Sequence, residues 1–366
     1  MRLTSLSLEQ FRSYPRLTVP ISGDRLHVFL GPNGIGKTNL LEAVSLLSLT
    51  RSFQPVDEDD LRQWESEFYR IAAEVEDDEG EHKTLEIVSQ AEPRRQKACF
   101  VNGVCVSSHT MVGLLPTVLF LPQDLGLFSG PPSERRRFLD RLLCQVSPAY
   151  FAALTGYERF LKQRNALLRR IADREAQPNQ LSTWDEKLAE TGSIVTCARL
   201  ELLETWGLSF LHEVAKFGEP WKDVTIVYER KGTATSPEAL AAELCELLAA
   251  ARERDILIQS TTVGPHREDW QVAVAARLLP SFASRGQQRS CLLSLLSLQA
   301  AYLGIKRGER PVILLDDVFS ELDDRHRKGV LEAFEDHQVL ITATEVPKGM
   351  KVESVWEVGA GSVKAR

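Results

Sequence analysis

Through the first 120 residues, apolar and polar positions alternate with a period of two, the mark of strands that bury one face. Residues 2–11, 17–20, 69–75, 84–89 and 97–101 with 104–106 follow this pattern. Residues 26–30 and 118–121 are apolar at nearly every position and read as strands covered on both faces. Polar turns separate them, at Asp77-Asp-Glu-Gly80 and at Asn102-Gly103, the latter a hairpin signal. At Pro131-Pro132-Ser133 the period lengthens, and Ser133 is the expected cap of a helix over 134–146. Helical spacing then dominates 150–172 and 181–216, with Pro178-Asn-Gln as the turn between two antiparallel helices. A strand at 224–229, a helix over 237–254 and a strand at 270–276 lead to a long apolar helix ending near Leu303. No internal repeat or low-complexity tract interrupts the chain. No helix carries sustained heptads, so the helical middle predicts a compact lobe rather than a coiled coil.

This order predicts an α/β protein of two domains. Residues 1–129 and 262–366 form a discontinuous head, and a mostly helical lobe, 130–261, is inserted before the final helix and strand.

The chemistry begins at Gly31-Pro-Asn-Gly-Ile-Gly-Lys-Thr38, which joins the apolar run 26–30 to a helical pattern starting at Asn39. Strand, glycine-rich loop and helix in that order are the setting of a GxxxxGK[ST] phosphate-binding loop. Gly31, Gly34 and Gly36 let successive N–H groups face one anion. Lys37 can reach the β- and γ-phosphates, and the Thr38 hydroxyl can take a Mg²⁺ position. The helix dipole adds to the attraction.

Far downstream, Pro311-Val-Ile-Leu-Leu-Asp316-Asp317 describes a buried strand delivering two carboxylates at its C-terminal edge, where α/β sheets bind nucleotides. Asp316 is expected in the Mg²⁺ shell. Asp317 is the candidate general base or water-orienting group, with helix or turn capping as its other reading. Some 25 residues earlier, Ser284-Arg-Gly286-Gln287-Gln-Arg289 opens the long apolar helix. Taken alone it is an N-cap with exposed N–H groups. Its place before the acid strand gives it the order and spacing of an ABC-type signature motif, which serves the γ-phosphate held by another protomer. Ser320-Glu-Leu-Asp323 then has the place of the D-loop that meets the partner.

Together these segments resemble the RecF family of bacterial repair ATPases, relatives of SMC heads and ABC ATPases. The resemblance is carried by Leu6-Ser-Leu-Glu-Gln-Phe-Arg12-Ser-Tyr14, the phosphate loop, Phe120-Leu-Pro-Gln123-Asp-Leu125, and 131–143 with Arg135-Arg-Arg-Phe-Leu-Asp140. Gly264-Pro-His266-Arg267, the segment from Ser284 to Arg289, and Leu314-Leu-Asp-Asp-Val318 complete it. It implies an ABC/SMC-type P-loop ATPase head of mixed β-sheet sandwiching helices, with the helical lobe inserted. It further implies nucleotide contacts from Arg12, Asn33 and Asn39, and contacts across a dimer from Ser284, Gly286, Gln287 and Asp323. Gln123 stands where many members carry Glu and is expected near Mg²⁺ and the attacking water. Arg285 replaces the first Gly of the ABC signature.

Composition supports a cytoplasmic enzyme: 43% hydrophobic and 26% charged residues, no apolar h-region, and no apolar run of membrane-spanning length. The six cysteines are scattered without a CxxC pair, so reduced thiols and no metal beyond Mg²⁺ are expected. The net charge of −7 argues against indiscriminate nucleic-acid binding and confines any DNA affinity to a local surface. Basic runs lie at Arg94-Arg95-Gln-Lys97, at Arg135 to Arg137, at Lys162-Gln-Arg164 and at Arg169-Arg170, of which Arg94, Arg95 and Lys97 are the expected DNA contacts.

The resemblance supplies the rest: ATP as the glue of a homodimer, slow hydrolysis that releases it, and binding to duplex, gapped or junction DNA. RecO and RecR are the implied partners in loading the recombinase. A nucleotide-gated DNA-binding module, or an SMC-like cohesion module, with negligible turnover is the alternative.

Overall fold

The structure, a computed structural model, describes all residues except 24, 55, 92–93, 321 and 347–351. In chain order, β1 (Arg2–Phe11), β2 (Tyr14–Pro20) and β3 (Leu26–Leu30) precede α1 (Lys37–Leu49). Then come β4 (Phe68–Glu76), β5 (His82–Gln90), β6 (Gln96–Val101), β7 (Val104–Val106), the one-turn α2 (Ser108–Met111) and β8 (Thr117–Phe120). Helices α3 (Pro132–Val146), α4 (Pro148–Ala172) and α5 (Leu181–Lys216) make the long helical run. They are followed by β9 (Val224–Glu229), α6 (Pro237–Ala250), α7 (Arg252–Ile258), β10 (Asp269–Val274), β11 (Arg277–Leu278) and α8 (Arg285–Arg307). The chain closes with β12 (Val312–Asp316), α9 (Asp324–Ala333), β13 (Val339–Ala343), β14 (Ser354–Gly359) and β15 (Ser362–Ala365).

Two compact units result. The first comprises Met1–Leu125, Lys216–Glu219 and Arg289–Arg366; the second comprises Gly126–Ala215 and Pro220–Gln288. The first unit holds two six-stranded sheets. One, ordered β15-β14-β3-β13-β12-β8, is parallel except for β15, and the other, β2-β1-β4-β5-β6-β7, is antiparallel. One core joins Leu6, Leu8, Phe11 and Ile71 of the antiparallel sheet, Phe29, Leu314 and Leu340 of the parallel sheet, and Leu40, Leu41, Val44 and Leu47 of α1. Helix α1 is buried nearly all round, which explains why its sequence shows no polar face. The central strands β3, β12 and β13 are buried at every position, as their continuous apolar runs require.

The second unit departs from the sequence reading in three places. Residues 262–288, expected in the head, belong here, because β10 pairs with β9 from Asp269↔Glu229 to Val274↔Val224. The Trp270 indole also donates to the Arg135 carbonyl at 2.8 Å. Ladder pairing and a buried tryptophan decide the boundary, not proximity to the last helix. Helix α3 begins at Pro132 with Pro131 in the cap position, so Ser133 lies inside the first turn and is not the cap. The helix expected over 237–254 breaks at Ala251 into α6 and α7.

Buried arginines organise this unit. Arg164, fully buried, donates to Asp185 at 2.7 Å, to Asp255 at 2.7 Å and to the Thr261 hydroxyl at 2.9 Å. Arg135 forks onto both oxygens of Asp269 at 2.8 and 2.7 Å and also reaches the carbonyls of Leu127 and Gly130. Arg199 binds Asp140 at 2.7 Å and the Pro265 carbonyl at 2.9 Å. His266 is half-buried, and its desolvation lowers its pKa to about 4. The Thr261 carbonyl, 3.0 Å from Nε2, can only accept, so the neutral ring carries its proton there and Nδ1 accepts from the Tyr157 hydroxyl at 2.6 Å. The Gly264-Pro-His-Arg segment is thus a staple between α4, α5 and the strand that follows it. Among the described residues, no helix is long and apolar enough to cross a membrane.

Candidate nucleotide site

The parallel sheet gathers the head's chemistry along one edge. The glycine-rich loop leaves the C-terminal end of β3, Asp316 ends β12, and Gln123 lies just past β8, whose Phe120 pairs with Leu315. Gly34 and Gly36 take φ of 80° and 112°, and a Cβ at Gly36 would strike the Ser13 hydroxyl, so glycine is required there. The loop is braced from β2 and the turn before it. The Tyr14 hydroxyl donates to the Gly36 carbonyl at 3.0 Å, and the Asn39 amide donates to the Ser13 hydroxyl at 3.1 Å.

Lys37 is buried, with its ammonium on the carbonyls of Gly31 at 2.7 Å and Pro32 at 3.1 Å, and at 3.5 Å from Asn33 Oδ1. It is held by neutral acceptors of its own loop, which an arriving phosphate can replace. The Thr38 hydroxyl lies 3.0 and 2.9 Å from the two Asp316 oxygens. The Thr342 hydroxyl donates to Asp316 Oδ1 at 2.7 Å. Thr342 is directly opposite Asp316 in the β12–β13 register, and its hydroxyl and carbonyl accept from the Asp317 N–H at 2.9 and 3.1 Å. Asp317 has φ of 44°, a left-handed conformation that costs a non-glycine residue roughly 1–3 kcal/mol and persists only when its surroundings impose it. Its N–H is anchored on Thr342 where β12 ends. Gln123 is exposed on its loop, while the neighbouring Asp124 side chain caps that loop by accepting from the Leu121 N–H at 3.0 Å.

Arg12 stands beside this loop but is committed elsewhere. Its guanidinium forks onto Glu42 at 2.8 and 2.9 Å and donates to the Asp60 carbonyl at 2.9 Å. Glu42 is wholly buried inside α1, which explains the strength of the claim on Arg12.

At the start of α8, Ser284 and Gln287 make a reciprocal cap. The Gln287 N–H donates to the Ser284 hydroxyl at 3.3 Å, and the Ser284 N–H donates to the Gln287 side chain at 3.0 Å. Ser284 is exposed, and a Cβ at Gly286 would meet only the Ser284 hydroxyl, at 3.8 Å. Asp323 caps α9, accepting from the His326 N–H at 2.9 Å and from its ring at 2.8 Å, and the first of these bonds is the main reason its carboxyl pKa is lowered. The far side of the His326 ring meets the Ser290 hydroxyl at 3.0 Å, and Ser290 donates to buried Glu219 at 2.9 Å. Within the D-loop segment, Glu321 lies outside the described residues.

The basic turn before β6 is largely spoken for. Arg95 pairs with Asp59, and Lys97 pairs with Glu58 at 2.8 Å and donates to the Thr50 carbonyl at 2.9 Å, leaving Arg94 exposed. Of the expected DNA contacts, Arg95 and Lys97 therefore carry charge already neutralised by the acidic run at 57–60. Thr342, Tyr14, Ser13 and Glu42 were missed by sequence reading. Ser13 and Tyr14 lay in the family-like segment before β2, and Thr342 was the lone hydroxyl before the end of the apolar run Val339-Leu-Ile-Thr-Ala343.

Residues 2–361 match the family model described as RecF/RecN/SMC N terminal domain. The "DNA replication and repair protein RecF" of Enterococcus faecalis is 36% identical over 94% of this chain and 93% of its own length. That of Geobacillus kaustophilus is 32% identical over 100% of both. Among solved structures, "the recombination mediator protein RecF-ATPrS in RecFOR pathway" superposes with a TM-score of 0.92 at 29% identity, covering 100% of this chain and 98% of that one. The corresponding RecF-ATP structure gives 0.89, also at 29% identity, covering 100% and 97%. An SMC head bound to the C-winged helix domain of ScpA shares the fold, with a TM-score of 0.55 at 14% identity over 100% and 97%.

Proposed function

Because the chain belongs to the RecF family, we propose that it is an ATP-dependent DNA-binding protein of recombinational gap repair, with MgATP as the bridge between two copies. The observation that carries this reading is the convergence of Lys37, Thr38 and Asp316 at one edge of the parallel sheet. The loop N–H groups and the Lys37 ammonium suit a triphosphate, and the neutral carbonyls now holding that ammonium release it easily. A hydroxyl beside a carboxylate is the hard-oxygen donor set that fits Mg²⁺. Bound there, Mg²⁺ would neutralise phosphate charge and polarise the β–γ linkage. Asn33 and Asn39 line the loop, and Arg12 acts by bracing α1 through Glu42.

The second copy would present the N-terminus of α8. The open space at Gly286, which nothing in the protomer requires to be glycine, supports close approach by an outside group to Ser284, Gly286 and Gln287. Asp323 would meet the same interface from the D-loop. Asp317, its N–H anchored on Thr342, orients the attacking water, with Gln123 beside it. Asp317 is one methylene shorter than the glutamate of fast ABC enzymes, so slow turnover that releases the dimer is the expected outcome. Duplex or gapped DNA, RecO and RecR are the proposed partners, and the cytoplasm the proposed compartment.

Light scattering with and without ATP tests the bridge. The expected result is mass doubling in MgATP for the wild type. Ser284→Arg should bind ATP as a monomer and remain one. Equal loss of monomer nucleotide affinity in Ser284→Arg would place that serine in its own protomer's site and end the composite reading.

A further inference from the structure

The second unit carries a cationic surface that the nucleotide site does not use. Helix α4 turns Arg159, Lys162, Gln163, Ala166, Arg169 and Arg170 to one side, within a single arc of about 120°. All six are exposed. From Arg159 to Arg170 the arc runs about 16 Å along the helix. Among the described residues, neither Lys162, Arg169 nor Arg170 is ion-paired through its side chain. Arg159 lies over the Phe160 ring at 4.9 Å, and Lys187 of α5 lies over Phe160 at 5.4 Å and Trp184 at 5.2 Å. Phe160 and Trp184 pack against each other, with ring centroids 6.2 Å apart.

Stacking on a ring stabilises a cation without consuming its N–H donors, so Arg159 and Lys187 stay available to an anion. Like charges three, seven and eight residues apart along α4 (Arg159, Lys162, Arg169, Arg170) repel one another, and the helix forms against that repulsion. On α4 itself, Glu158 lies just outside this arc and Asp173 caps the helix one turn beyond Arg169. On a chain of net charge −7, such a face fits a polyanion of regular charge spacing. A duplex strand presents a phosphate every 3.4 Å or so, hence about five along this length. Phe160 and Trp184 are partly buried, with cations already over them, which favours backbone contact over single-strand stacking.

We propose that this face of α4, extended by Lys187, is a sequence-independent contact for the phosphate backbone of duplex DNA. The inference rests on the DNA-binding reading above and names the surface that reading lacks.

The test is fluorescence anisotropy of a labelled duplex between 50 and 200 mM salt, with ATP, for wild type and for Arg159, Lys162, Arg169, Arg170 and Lys187 all changed to Gln. The variant's log–log salt slope should flatten by roughly 0.9 for each phosphate no longer neutralised, about 4.5 for five phosphates. Across that fourfold salt range the wild type should then lose roughly 500-fold more affinity than the variant. ATP affinity and the ATP-dependent mass should not move. The smaller pair Lys162→Glu with Arg169→Glu leaves the buried face of α4 intact and should weaken binding in the same direction. Equal slopes in wild type and both variants would overturn this assignment while leaving the DNA-binding reading in place. A wild type that binds no duplex at any salt would overturn both. Loss of binding to an acidic peptide, with duplex binding unchanged, would assign the face to a protein partner and also overturn the inference.

Discussion

The turn before β6 and helix α4 both carry clusters of basic residues, and folding gives the two clusters opposite fates. Arg95 and Lys97 close onto Asp59 and Glu58, while among the described residues Lys162, Arg169 and Arg170 have no side-chain ion pair. Helix α4 repeats the contrast within itself. Arg164, two residues from Lys162, is caged by Asp185 and Asp255 on the opposite face. The use of a cation is set by what the fold brings opposite it, and neither the density of basic residues nor their order in the sequence records that. In the strand turn the acidic run 57–60 is folded against the basic run; on α4 the nearest acids lie at the borders.

Substitution of the caged arginine should break this contrast most sharply. Arg164→Ala would take from buried Asp255 its ion-pair partner and leave buried Asp185 with Arg252 alone. About 3–5 kcal/mol of stability should be lost in urea or guanidinium unfolding, with no change in the DNA salt slope if the refolded fraction is measured. A slope that fell with Arg164 would mean its charge reaches DNA and the two faces are not distinct.

His266, stapled to the same Thr261 that Arg164 holds, gives a pH-dependent counterpart. Its folded pKa, about 4, lies below the ordinary value near 6.5, so the unfolded chain binds the proton more tightly between these values. Its contribution is fully present above pH 6.5 and is lost as pH falls towards 4, roughly 3 kcal/mol in all. Unfolding midpoints measured from pH 7.5 to 4.5 should drop more steeply for wild type than for His266→Gln. Parallel curves would show that another group governs the acid limb.

Lys37 is a third kind of cation, held on carbonyls rather than on carboxylates or rings. Lys37→Ala should cost about 1.5–3 kcal/mol of ATP affinity by calorimetry, a factor of roughly ten to a hundred and fifty, and should abolish ATP-induced dimerisation. Duplex binding measured without ATP should be unaffected. The smallest effect is expected from Arg94, Arg95 and Lys97 changed together to Ala. Two of the three are already neutralised, so the salt slope should change by about 0.9 or less, with stability altered by about 1 kcal/mol or less. A weakening as large as that from the α4 face would reverse the ranking of the two regions.

The sequence was informative where geometry is local. The phosphate loop, the hairpin at Asn102-Gly103, the helix Leu181–Lys216 and the strand ending at Asp316 all lie where periodicity and turn chemistry put them. Partners across the sheet were not legible. Thr342 holds both aspartates because β13 pairs with β12, a fact of register between segments 26 residues apart. The strands β13, β14 and β15 were not among the expected elements. A short apolar run such as Val339-Leu-Ile-Thr-Ala343 has no period that separates a buried strand from a buried helix, and only its place between β3 and β12 decides the matter. The domain boundary failed for a related reason. β10 follows the helical lobe in sequence, but its ladder with β9 and the contact between Trp270 and Arg135 tie it to that lobe. Arg12 and Arg164 show the same limit, since a charged residue's partner is a tertiary fact.

The bond between Arg12 and Glu42 has a genetic consequence. Glu42 is sealed inside the helix that carries the phosphate loop, and Arg12 and the Ser52 hydroxyl are its counterparts. An allele that removes Arg12 alone strands an anion in the core beneath that loop, so its loss of function would report a damaged helix rather than a missing nucleotide contact. With Glu42→Gln already in place, the same Arg12 change should be far milder. The two positions are epistatic, and the contribution of Arg12 to nucleotide binding can be scored only on the background where its partner no longer needs it.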